Sequence, residues 1–315
     1  MEIEQGKVAV IIPTYKPDEK FEKLMDRLQR QKRKPDQIIV IHTIPDQGTS
    51  MDVALKYKDM DRVIVHEIPQ REFNHGGTRN LGVKMVEADF VLMMTQDAVP
   101  ADDRLIDKLL EAFKDSKVAA AYARQLATKE VGIIENYTRQ FNYPEKDRVK
   151  SKKDLKELGI KTYFCSDVCA MYRKSAYEEM GGFVTKTIFN EDMILASNLI
   201  DHGYYVAYAA NAKVYHAHRY TGKQQFQRNF DLGVSHRQYR EIFEKVKSES
   251  EGMKLVKQTA SYLIKKGHPL LLGELVWQSG WKFLGYQMGK RYDKLPLWFI
   301  RMASSQKSYW IEGKE

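Results

Sequence analysis

Short apolar runs rich in β-branched residues recur through the first hundred residues, at Val8 to Ile12, Ile38 to Ile41, Val63 to Val65 and Phe90 to Met94. Each is too short for a self-burying helix and too uniformly apolar for a strand with one wet face, so each reads as a strand covered on both faces. Between them the spacing becomes helical. Phe21, Leu24, Met25 and Leu28 recur at i, i+3, i+4 and i+7 behind Pro17-Asp18, and Leu105, Leu109 and Phe113 recur behind Asp102-Asp103. Strands that alternate with helices call for a mostly parallel α/β sheet flanked by helices, because parallel neighbours cannot be joined by tight turns.

Residues Gln125 to Lys161 break this rhythm, and their polar, lysine-rich stretch from Glu145 to Lys156 reads as a long connection or flap. Strand signals return at Ser166 to Tyr172 and Tyr204 to Ala209, on either side of a helix from Glu191 to His202 that Gly203 ends. Helices dominate from about Gln224. The chain is expected to divide into an α/β domain at 1–240 and a basic helical region at 241–315, where all four tryptophans lie.

The excess of 51 Lys and Arg over 42 Asp and Glu gives +9, but it is spread over ordinary helices without any nucleic-acid recognition motif, so nucleic acid is not the expected partner. Two cysteines, Cys165 and Cys169, support neither a disulfide framework nor a zinc cluster, which fits a reducing compartment. The N-terminus lacks a signal-peptide pattern and no run is apolar enough to span a bilayer, so a cytoplasmic location is expected.

In a parallel sheet, ligands sit beyond the carboxyl ends of the strands. Pro13-Thr14-Tyr15 follows the first strand, and His42-Thr43 with Asp46 follows the second. The third leads into Asn74-His75-Gly76-Gly77-Thr78-Arg79-Asn80, where paired glycines, a helix start and a forked guanidinium suit a phosphate, although a plain turn with a solvated arginine reads equally well. Gln96-Asp97 follows the fourth, where a hard cation bridging phosphates would need an oxygen ligand; an ordinary loop aspartate is the alternative. Taken alone, Glu191-Asp192 reads as first-turn acids and His216-Ala217-His218 as surface histidines.

In this order, IIPTY, FNHGGTRNLG, MTQDAVP, FNEDMILASNLIDHGY and VYHAHRYT resemble the family 2 glycosyltransferases of GT-A (Rossmann-like) fold, over roughly residues 7–240. The bacterial rhamnosyltransferase-like branch is the nearest match. The resemblance implies that Asp97, His216 and His218 hold Mg²⁺ or Mn²⁺ against a nucleotide-diphosphate sugar donor. It further implies that Asp192 is the general base, that Glu191 stands beside it toward the acceptor, and that Pro13, Thr14, Tyr15, Asn74, Gly76, Arg79, Asn80 and Gln96 frame the donor. Most of the family carries an acid directly after the second strand; here the resemblance implies either that Asp46 substitutes for it from further along the chain or that the nucleotide is held mainly by backbone and by Gln70 or Arg71. Gln96 in place of a second aspartate implies a metal held with one carboxylate fewer.

The implied reaction is an inverting single displacement that moves L-rhamnose from dTDP-rhamnose to a hydroxyl of a cell-surface polysaccharide or lipid-linked glycan. A UDP-hexose or UDP-N-acetylhexosamine donor is the alternative within the class, and a non-catalytic scaffold or a nucleic-acid-binding protein the alternative outside it. Trp277, Trp281, Leu284 and Met288 share one helical stripe, and residues 265–315 carry a local +5. That combination suits peripheral contact with an anionic membrane at the inner face, or packing on the catalytic domain or in a homodimer.

Overall fold

The computed structural model describes residues 6–45, 53–128, 131–244 and 249–310; Asp46 lies outside them. Among the described residues, nine strands run in chain order as β1 (Val8–Tyr15), β2 (Gln37–Ile44), β3 (Val63–Pro69), β4 (Phe90–Met94), β5 (Val99–Pro100), β6 (Val118–Leu126), β7 (Arg148–Lys150), β8 (Cys169–Arg173) and β9 (Tyr205–Tyr215). The α-helices are α1 (Glu19–Gln29), α2 (His75–Lys84), α3 (Leu105–Leu110), α4 (Ile133–Asn142), α5 (Leu155–Leu158), α6 (Lys174–Glu179), α7 (Glu191–Asp201), α8 (Gly222–Gln238), α9 (Arg240–Phe243), α10 (Glu249–Lys265), α11 (Leu271–Gly289) and α12 (Leu297–Ala303).

Residues 1–128, 143–185 and 191–216 form one compact unit. All nine strands belong to it, in the order β3-β2-β1-β4-β8-β6-β9-β5, with β7 also on β9. The half from β3 to β4 is parallel, β8 runs antiparallel to both β4 and β6, and β9 returns parallel to β6. Val8 to Ile12 and Phe90 to Met94 are fully buried, as two-sided strands require, with Phe21, Leu24, Met25 and Leu28 of α1 covering β1 and its neighbours. At the sheet edge, β3 departs from that expectation, because Ile64 is 40% exposed.

Three other expectations change. The alanine-rich β6 (VAAAYARQL) lies inside the sheet, and small buried side chains gave it little apolar signal. The stretch from Glu145 to Lys156 is a strand and short helices, and Lys150 within it is 3% exposed. Ser166 to Val168 form a turn ahead of β8, closed by Cys169 N–H donating to the Ser166 carbonyl at 3.1 Å.

Direction settles which residues meet. The carboxyl ends of β1, β2, β4, β6 and β9 point the same way, and the reversed β8 begins at that edge, where Cys169 pairs with Met94. One edge therefore gathers Thr14, Tyr15, Gln96, Asp97, Gln125, Ser166, Asp167 and His216.

Residues 129–142, 186–190 and 217–315 form a second unit, which is helical. Here α11 lies against α8 so closely that a Cβ on Gly285 or Gly289 would strike the carbonyl oxygens of Phe226 and Phe230. This packing makes α8 part of the second unit. The other cluster joins Ile134, Leu263 and Leu275, with Tyr137 stacked on Tyr262 at 4.3 Å. No described helix is long and apolar enough to cross a membrane.

Candidate active site

The loop after β4 is held from two sides. Thr95 N–H donates to the Val168 carbonyl at 3.2 Å. Gln96 accepts from Tyr15 N–H at 2.8 Å through Oε1 and donates to the Tyr15 carbonyl at 3.1 Å through Nε2. A carboxylate could accept the first bond but could not donate the second. Gln96 is thus spent on joining the ends of β1 and β4.

Asp97 Oδ2 lies 3.5 Å from His216 Nε2, both within the first unit. The other imidazole nitrogen, Nδ1, lies 3.0 Å from Gln125 Oε1, while Gln125 Nε2 donates to Ser166 Oγ at 3.0 Å. Since the Gln125 atom at His216 is an acceptor, Nδ1 carries the proton and donates. Nε2 then faces a carboxylate, an arrangement satisfied by a cation between them or by a proton on Nε2. Outer-sphere amide bonds that fix a histidine tautomer are what a metal ligand requires. His218 stands two residues on, at the start of the second unit.

A second cluster surrounds Arg79, whose side chain is 6% exposed. Its NH1 lies 3.0 Å from Glu191 Oε1 and its Nε 3.4 Å from Asp167 Oδ2, with side chains 9% and 4% exposed. Asp167 Oδ1 accepts from the Tyr172 hydroxyl at 2.7 Å. Asp192 sits in the first turn of α7, behind Asn190 in the left-handed region at φ 67°. Its Oδ2 accepts from Asp167 N–H at 3.2 Å and its Oδ1 from Met193 N–H at 2.7 Å. Burial lifts Asp192 well above the usual carboxylate range, and the charges of Asp167 and Glu191 add to the rise. Burial likewise raises Asp167 to about 7, with Glu191 adding and Arg79 opposing. Burial alone would lower the Arg79 guanidinium, but Asp167, Glu191 and Asp192 hold it above its ordinary value.

Several residues expected around a phosphate have internal partners. Arg79 NH1 donates to Glu191 and to the His75 carbonyl, and Nε faces Asp167 as an ion pair. Asn74 caps α2 by accepting from Gly77 N–H at 2.5 Å. Gly76 lets the helix reach the Val184 carbonyl, which a Cβ would strike. Asn80 donates to the Phe183 carbonyl at 2.8 Å and accepts from Phe183 N–H at 3.0 Å. The buried Thr14 hydroxyl meets His42 Nδ1 at 2.9 Å, Pro13 is half-buried, and the Tyr15 ring is 40% exposed.

Asp167, Tyr172, Gln125 and Lys150 escaped the sequence reading. Asp167 precedes an antiparallel strand, so a search after strands looks at the wrong end. Lys150, pulled by burial down to about 7, donates to the Lys161 carbonyl at 3.1 Å and to that of Phe164, bracing the segment that leads into Cys165 to Asp167.

Comparisons with known proteins agree with this architecture. The family model for glycosyl transferase family 2 matches residues 9–181. The O-antigen chain rhamnosyltransferase RfbN of Salmonella typhimurium is 40% identical over 306 residues, covering 96% of this chain and 96% of its own. WbaN of Salmonella anatum, with the same description, is 38% identical over 304 residues, covering 96% and 95%. Among solved structures, the mannosyltransferase PcManGT from Pyrobaculum calidifontis, in complex with GDP-Man and Mn²⁺, superposes with TM-score 0.56 at 15% identity, covering 97% of this chain and 85% of that one. TarS 1–349 of S. aureus with UDP-GlcNAc gives 0.52 at 14% identity, covering 91% of each. At those identities the structures speak for the GT-A fold, and the family model and the two rhamnosyltransferases speak for kinship: the chain belongs to glycosyl transferase family 2.

Proposed function

We propose that this glycosyltransferase moves L-rhamnose from dTDP-rhamnose to a hydroxyl of a growing, lipid-linked cell-surface polysaccharide, inverting the anomeric centre in one displacement. The observation that carries this reading is the 40% identity to an O-antigen chain rhamnosyltransferase over 96% of both chains.

Asp192 is the general base. Two backbone N–H groups hold its carboxylate, and its environment raises its proton affinity, so it can take the acceptor proton as the hydroxyl attacks. Glu191 is a positioning residue, with one oxygen committed to Arg79. The donor lies toward Tyr15, Gln96 and Asp97, with the main chain of Pro13 and Thr14 beneath it. Asn74, Gly76, Arg79 and Asn80 act by fixing α2.

Asp97, His216 and His218 offer one carboxylate oxygen and two imidazole nitrogens, a donor set that suits Mn²⁺ and accommodates Mg²⁺. Bound there, a divalent ion supplies a Lewis acid for the charge that gathers on the departing diphosphate.

The lipid-linked acceptor calls for contact with the cytoplasmic leaflet. The second unit supports this with Val276, Trp277, Phe283 and Leu284 on α11, 53% to 69% exposed, and with Trp298 on α12 at 69%. Trp281 has left the expected stripe to pack against Phe226 at 6.0 Å, and Met288 packs on the Phe230 cluster. Flotation with anionic liposomes at low salt is the expected result; protein that stays in the dense fraction contradicts the membrane contact.

A donor screen by thermal shift, with and without Mn²⁺, tests the donor. Ligand at about 100 times Kd stabilises by roughly 2.7 kcal/mol. The expected result is the largest Mn²⁺-dependent shift with dTDP-rhamnose. A larger shift with a UDP-hexose overturns the choice of sugar.

A further inference from the structure

The turn Ser166-Asp167-Val168 bonds to groups beside both Asp97 and His216 and to Asp192 itself. Ser166 Oγ holds Gln125, which orients His216, and the Val168 carbonyl accepts from Thr95 N–H ahead of Asp97. Asp167 N–H donates to Asp192, while its side chain is anchored by Tyr172 and Arg79. Asp167 is also 3% exposed, so its charge acts through a low-dielectric interior instead of water.

We propose that Asp167 is a positioning residue for the transfer step: its N–H orients the Asp192 carboxylate, and its side-chain charge, held by Arg79 and Tyr172, sets how strongly Asp192 takes the acceptor proton. The proposal rests on the reading of Asp192 as base. A second carboxylate beside the base resists its ionisation and so strengthens it, as paired carboxylates do.

The charged and titratable groups around Asp192 come from each neighbouring element. Asp167 and Cys165 lie on the segment before β8, and Tyr172 on β8 itself. Glu191 precedes Asp192 on α7, and Arg79 approaches from α2. Of these, Asp167 alone meets Asp192 through both its backbone and its charge. Asp167→Asn keeps the N–H and removes the charge, which separates the two roles.

The experiment measures kcat and donor KM against pH for the full-length wild type, Asp167→Asn, Tyr172→Phe and Asp192→Asn. For Asp167→Asn the acid limb of kcat moves to lower pH by about one unit or more, because a nearby like charge shifts a carboxylate by that order. Its plateau falls about tenfold, as a weaker base transfers the proton less well, and donor KM stays within about twofold. Tyr172→Phe removes a hydrogen bond that keeps Asp167 ionised, so its limb moves the same way by less. An Asp167→Asn limb that coincides with wild type overturns the proposal. Should Asp167→Asn fail to fold, Tyr172→Phe decides, and an unmoved limb there overturns it. Turnover by Asp192→Asn comparable to wild type removes the base reading itself, an outcome distinguishable from inactive Asp192→Asn with unmoved limbs in the other variants.

Discussion

Around Arg79 the chain supplies its own cation, whereas at Asp97 and His216 it supplies electron pairs. In the first cluster a buried guanidinium lies 3.0 Å from Glu191 and 3.4 Å from Asp167, and backbone N–H groups hold both oxygens of Asp192. In the second, Gln125 commits one imidazole nitrogen and leaves the other facing a carboxylate at 3.5 Å. In the function proposed above, the first cluster is an assembly of the chain's own charges that holds the base, and the second is a pair of ligands for an added ion. On that proposal the labour divides: proton removal rests on groups of the fold, and leaving-group stabilisation depends on an ion that arrives.

The sharpest break between the two ends comes from Asp192→Asn. A base removed from the transition state lowers kcat by about 10³-fold, within the usual range for general bases, and leaves donor affinity nearly unchanged; steady-state kinetics with donor titration checks both. Arg79→Gln strikes the same cluster through stability. Buried carboxylates left without their counter-ion cost about 3–5 kcal/mol, read as a fall in the urea midpoint, and added Mn²⁺ does not restore it.

Chelation separates the ends in the other direction. Treatment of the wild type with a chelator is expected to cost about 10²-fold in rate, recovered on adding Mn²⁺, while Asp97→Asn shows the loss without the recovery. The smallest effect is expected at Lys150, whose amine serves the carbonyls of Lys161 and Phe164. Lys150→Met removes a charged donor from both carbonyls and costs roughly 1–3 kcal/mol in chemical denaturation, with a smaller loss of kcat through the slackened turn at Asp167.

β1, β2 and β4 were legible because they are buried on both faces and spell continuous apolar runs. β6 was not, since alanine packs well inside a sheet yet contributes weakly to any hydropathy pattern. Asp97 and Asp192 stand out as candidates through their place in an ordered set of motifs. The groups bonded to Asp192, and to His216 beside Asp97, were hidden by topology. Asp167 precedes an antiparallel strand, and Gln125 ends a strand whose existence the sequence barely signalled. The role of Arg79 was readable as an anion fork, but which anion it takes depends on carboxylates 88 and 112 residues further along the chain, which only the fold brings to it.

The division of labour is tested most directly by measuring donor Kd and kcat for Asp192→Asn and Asp97→Asn side by side, with and without Mn²⁺. The account predicts that Asp192→Asn keeps a wild-type, Mn²⁺-sensitive Kd and loses kcat, while Asp97→Asn loses the Mn²⁺ dependence of donor binding. Equal, Mn²⁺-insensitive losses in both variants, or near-normal kcat in Asp192→Asn, would contradict it.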